Sequence, residues 1–136
     1  MAKVFRGKVA IPGDQMEAYF EALEQFENDK KPMRYQLEHC ARDFARVLAQ
    51  QYAPKTVRKH TAIIALFIDF VCYDTDVRRI EDITRGIANS YFRQWYLRKV
   101  GDRTESELKT AIKKFFQFLD RGKGITNEAV LKSFQR

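Results

Sequence analysis

Between Thr56 and Ile125, apolar residues recur three and four positions apart through three successive segments: KTVRKHTAIIALFIDFVCYDTD, TRGIANSYFRQWYLRKV and TESELKTAIKKFFQFLDRGKGI. That spacing is the period of an α-helix, and a strand would need strict alternation instead. A chain patterned this way must fold by laying helical stripes against one another. The stripes are flanked by Lys and Arg, and no catalytic constellation accompanies them, which points to a binding module.

At 136 residues the chain has the size of one ordinary domain and buries a core without disulfide or metal staples. Its apolar content of 45% and aromatic content of 13% exclude a disordered chain. The longest apolar run, from Ala62 to Phe70, is interrupted by Asp69 and falls short of the roughly 20 residues that cross a bilayer. The basic start, MAKVFRGKVAIPGD, lacks the apolar core of an export signal, so a cytoplasmic protein is expected. Cys40 and Cys72 have no metal-ligand spacing and read as small buried hydrophobes.

Residues 3–11 read as a short strand or an ordered arm, broken by Pro12 and Gly13. Asp14 and Glu17 have the spacing of a capping box, and Met16, Tyr19, Phe20, Leu23 and Phe26 then share one face of a first helix ending near Asp29. Lys30, Lys31 and Pro32 predict a break. Leu37, Cys40, Ala41, Phe44, Val47 and Leu48 mark a second helix reaching about Tyr52, so residues 1–52 are expected to be an arm and a helical hairpin. A third helix starts with Thr56 as cap; Val57, Ile63, Ile64, Leu66, Phe67, Ile68, Phe70 and Val71 cover over half its circumference, making it central, while its first turns, with His60, stay exposed. Thr84 is placed to cap a fourth, with Ile87, Ala88, Tyr91, Phe92 and Trp95 inward. Thr104 and Glu107 cap a fifth lined by Leu108, Ala111, Ile112, Phe115, Phe116 and Leu119. Residues 127–134 form a short last helix.

Charge is unevenly distributed along this scaffold. Residues 1–52 hold eight Lys or Arg and eight Asp or Glu, whereas residues 53–136 hold seventeen against ten and carry the whole net charge of +7. A basic half beside a neutral one suits a phosphate-facing surface, because each neutralised phosphate releases counterions.

Three pieces of the second part, in this order and spacing, carry a family resemblance. They are Lys55-Thr56-Val57 before a helix ending Phe67-Ile68-Asp69-Phe70; Ile80-Glu81-Asp82-Ile83-Thr84; and Leu108-Lys109-x-Ala111-Ile112-x-x-Phe115-Phe116-x-Phe118-Leu119 before Lys123-Gly124-Ile125. Over about residues 53–130 the chain resembles the core-binding, SAM-like domain of tyrosine recombinases, the phage integrase family. The resemblance implies a small helical bundle that clamps one side of a DNA duplex while a separate domain cuts. The sequence departs from the family where that catalytic domain would begin, and Asn127-Glu128 stands where the family commonly has Asn-Pro, so the end reads as a terminal helix. His39-Cys40-Ala41-Arg42 spells the family's His-x-x-Arg, but upstream of the bundle and across a buried stripe.

Other chemistries lack parts. No Gly-rich loop precedes a Lys to cradle a nucleotide, and Asp74, Asp76, Glu81 and Asp82 sit where acids start turns. The expectation is therefore a non-enzymatic, all-α single domain of five to six helices over residues 1–136, with no cofactor and no metal. Its expected partner is double-stranded DNA, in recombination or integration. Lys55, Thr56, Arg58 and Lys59 would meet the backbone at a helix start, where amide groups and the dipole also favour phosphate. Lys109, Lys113 and Lys114 would approach a neighbouring groove, Arg85, Arg93 and Lys99 would extend the patch, and Thr104 and Ser106 would reach base edges. The rival expectation is a helical protein-interaction or self-associating module with no DNA contact, in which Glu17, Glu21 and Glu24 of the hairpin fold over the basic face.

Overall fold

The computed structural model describes residues 4–5, 12–101 and 105–134. They form an all-α bundle of α1 (Met16–Ala49), α2 (Pro54–Asp74), α3 (Phe92–Lys99), α4 (Glu105–Lys123) and α5 (Glu128–Ser133). Among the described residues none of the helices is long and apolar enough to cross a membrane. Of the first segment, Val4 pairs with Thr75 in a single antiparallel bridge, and Phe5 N–H donates to Asp74 O at 2.8 Å.

The expected hairpin is one continuous helix of 34 residues with Pro32 inside it. A proline in a helix interior costs about 3 kcal/mol, and here packing outweighs it. Lys30, Met33, Leu37, Cys40, Phe44 and Leu48 make one buried stripe that runs through the proline without a change of phase. Lys30 is the residue that disguised this. It is 3% exposed, and its Nζ donates to Val71 O at 3.0 Å and Thr75 O at 2.7 Å, closing the C-terminal end of α2 from the neighbouring helix. Burial lowers its pKa to about 8. Arg34 adds a second tie, to Asp69 at 3.0 Å and Glu38 at 2.7 Å, with its guanidinium over the Tyr73 ring. Just before Lys30, Asp29 pairs with Arg78 at 3.1 Å and Phe26 meets Phe5 edge-on; ahead of Phe26 the helix leaves the body. Met16, Tyr19, Phe20 and Leu23 share a face as expected but stand exposed, and the capping box at Asp14 and Glu17 does not form. Val47, expected inward, is exposed too.

Central burial of α2 follows its pattern: Ile63, Ile64, Phe67, Ile68, Phe70, Val71 and Cys72 are all in the core. Its start differs in two respects. Ala53 is the N-cap with Pro54 in the first helical position, so Thr56 does not cap. His60 is buried rather than exposed.

Thr84 does cap the next helix, accepting from Ile87 N–H at 3.2 Å. Residues Ile87–Tyr91 then form a π turn before α3. The extra residue in that turn rotates the helix beyond it, so Phe92, Trp95 and Tyr96 enter the core while Tyr91 is exposed, against expectation. Trp95 Nε1 donates to Asp74 at 2.8 Å, which gives that carboxylate a structural task.

All six expected apolar positions of α4 are buried. Phe67, Phe92, Phe115 and Phe116 meet edge-on around the middle of the bundle. Asn127 caps α5, accepting from Val130 N–H at 3.0 Å, and its amide donates to Ile80 O and Ile83 O at 2.9 Å each. The last helix is thereby fastened to the turn before α3. Cys40 and Cys72 are free and buried, as expected.

Candidate nucleic-acid interface

The start of α2, the first half of α4 and the helix through α3 come together, and most of the expected DNA-facing residues lie across them. Lys55 and Arg58 are exposed on the first turns of α2, with Thr56 partly covered between them. Lys59 reaches across to form an ion pair with Glu107 on α4. Two residues before Glu107, Glu105 accepts from Arg93 at 2.6 Å and pairs with Lys109 at 3.2 Å, linking α3 to α4. Those contacts hold the Glu105 carboxyl below its ordinary pKa, with the Lys109 hydrogen bond the largest cause and the charge of Arg93 next.

Arg85, Arg93 and Lys109 surround a cleft of about 230 Å³, closed on its far side by Ser133 and Phe134. Its inner wall is Ala88, Asn89 and Leu108, and the Asn89 side chain donates to Ser133 Oγ at 3.2 Å. The π turn forms this wall. Lys113 lies one turn further along α4, in a second depression with Gln117, Asp120 and Arg121. Lys114 turns away from that row. Its Nζ donates to the Tyr52 hydroxyl at 2.7 Å and sits 4.0 Å from the ring centroid. Lys99 is exposed in the last turn of α3, and Ser106 is exposed on α4, while Thr104 lies outside the described residues.

Nine basic side chains of the expected set are thus present with three carboxylates, Glu105, Glu107 and Asp120, among them. Lys109 and Lys113 have no acid between them, as their spacing shows, but Glu105, four residues before Lys109, pairs with it and neutralises part of that row. Glu105 and Glu107 belong to a helix start by sequence, and their roles as cross-helix partners depend on tertiary packing. Arg121, whose exposed side chain continues the row beyond Lys113, is an addition to the expected set, though the run of bases in α4 is visible in sequence.

His60 stands behind this face. Its ring meets Tyr52 edge-on, and its Nδ1 is buried without a hydrogen-bond partner among the described residues. Burial, then the charges of Lys114 and Lys59, hold its pKa below the ordinary histidine value. It is therefore neutral near pH 7 and adds no cation to the face. The His-x-x-Arg of residues 39–42 assembles nothing: His39 is exposed beside Asp43 at 3.4 Å, and Cys40 is in the core.

Compared with protein-family models, with curated proteins and with solved structures, the chain matches none.

Proposed function

We propose that the chain is a non-catalytic, double-stranded DNA-binding module of the kind the integrase core-binding domain represents, serving DNA recombination or integration in the cytoplasm. The observation that carries this reading is the convergence of Lys55, Arg58, Lys59, Arg85, Arg93, Lys109 and Lys113 from three helices onto adjoining surfaces, outnumbering Glu105, Glu107 and Asp120. Such a surface binds phosphates of either strand by counterion release, and with little dependence on base sequence. The uncapped start of α2, with no acid in its first turn, adds its dipole to Lys55 and Arg58.

The test is fluorescence anisotropy of a labelled random duplex across a salt series. A log-log slope of about −3 to −6 is expected, falling by roughly two units in Arg58→Ala/Lys113→Ala. Glu105→Gln should tighten binding roughly threefold, because it frees Arg93 and Lys109 from a surface carboxylate. No binding at low salt, or an unchanged slope in the double variant, would overturn the reading.

A further inference from the structure

One apolar stripe of the molecule stands outside its core. Residues 16–29 of α1 precede the stripe that packs on α2, and they carry Met16, Tyr19, Phe20 and Leu23 on one face, each 38–55% exposed. Four large apolar side chains in one exposed row mark an interaction surface more often than a solvated one. The charge of the segment is equally one-sided. Residues 12–29 hold six carboxylates and no Lys or Arg, whereas the rest of the chain holds twenty-five bases and twelve acids.

A surface complementary in both respects lies at the other end of the same helix. There the last turns of α1 and the second half of α4 enclose a groove of about 450 Å³, with Val47, Tyr52 and Phe118 as apolar walls and Lys114 and Arg121 at the rim. Residues 16–29, the arm of the molecule, cannot reach this groove within one chain. Phe20 and Val47 stand on one continuous helix, about 40 Å apart along its axis at 1.5 Å per residue. Pairing of two such 16–29 arms would set five carboxylates against five, with like-charge repulsion throughout. An arm laid in the groove of another copy instead sets apolar side chains on apolar walls and carboxylates beside Lys114 and Arg121.

We infer that the occupant of the groove is the 16–29 segment of a second copy of this chain. Donor and acceptor surfaces differ and lie at opposite ends of one rod, so the contact is head-to-tail and repeats until the assembly closes into a ring or runs on as a filament. This inference does not rest on the DNA reading: Phe20 and Val47 lie off the basic face, and although Lys114 and Arg121 border both surfaces, association is measured without nucleic acid.

The experiment is sedimentation velocity of the full chain, without nucleic acid, over the micromolar to sub-millimolar range at low salt. Phe20→Glu spoils the arm, and Val47→Glu spoils the groove. Both positions are exposed, so far-UV circular dichroism should be unchanged. The unaltered chain is expected to grow past a dimer with concentration, and each variant alone to associate at least about tenfold more weakly. An equal mixture of the two variants should form a one-to-one pair and nothing larger, since it contains one sound arm for each sound groove. Glu21→Lys/Glu24→Lys against Arg121→Glu repeats the design with charge alone. A monomer at every concentration, a Val47→Glu variant that associates as well as the unaltered chain, or a mixture that stays monomeric would each overturn the proposal.

Discussion

The two parts of α1 share a helical period and differ in almost everything that period is usually taken to imply. From Met33 to Leu48 the apolar residues of the buried stripe are at most 4% exposed and bind α2 and α4; from Met16 to Leu23 large apolar residues at the same spacing are at least 38% exposed. Amphipathic spacing therefore specifies a face but not its occupant. The difference is set by the element opposite: in the inner part α2 runs alongside, and at Lys30 it ends, its last carbonyls closed by the lysine itself.

The sharpest way to break this comparison is to truncate one aromatic residue in each part. Phe44→Ala should cost about 3–5 kcal/mol, since its ring is buried against Phe115 and Phe118, whereas Phe20→Ala should stay within about 0.5 kcal/mol. Urea denaturation of dilute protein measures both, and equal losses would mean the arm is folded onto something in the isolated chain.

Lys30 marks the boundary between the two parts and should show an intermediate effect. Lys30→Met keeps the length of the side chain but leaves Thr75 O without its donor, at a cost of about 2 kcal/mol. Val71 O keeps the Thr75 hydroxyl, which limits the loss. The charge of Lys30 adds a pH dependence. With a folded-state pKa of about 8, below the unfolded value, the folded protein loses the proton first, so stability should rise with pH between about 8 and 10.5, and this rise should vanish in Lys30→Met.

The smallest expected effect is confined to the body. His60 has a depressed pKa when folded, so below about pH 6.5 the unfolded chain binds a proton that the folded one resists, and stability falls as the pH drops. Lys59, Lys114, Glu107 and Tyr52 surround it. His60→Gln should flatten the slope below about pH 6.5 in thermal melts. An unchanged slope would trace the acid sensitivity to carboxylates instead.

Much of this body is legible in the sequence, for identifiable reasons. In α2 and α4 the apolar residues face partners on several sides, so periodicity and burial coincide, and the Thr84 cap stands where its residue type predicts. The break expected at Lys30-Lys31-Pro32 does not occur: Pro32 disfavours a helix interior and two adjacent lysines read as a solvated break, while the decisive hydrogen bonds span 41 and 45 residues. The π turn displaces Tyr91 from its expected inward place, since a regular period cannot anticipate one inserted residue. Of the candidate interface, the clustering of bases is legible from the charge partition. Glu105 and Glu107 as partners of Arg93, Lys109 and Lys59 are not, because those pairs depend on how helices cross.

Asn127 has a consequence for the order in which the molecule assembles. Its amide bonds two carbonyls more than forty residues earlier, and the six-residue helix it starts is too short to persist alone. The α5 helix can form only after the 80–83 turn has taken its final shape, so amide exchange at Val130 reports completion of the fold rather than local helix stability. One side chain thus makes the end of the chain a timer for its middle.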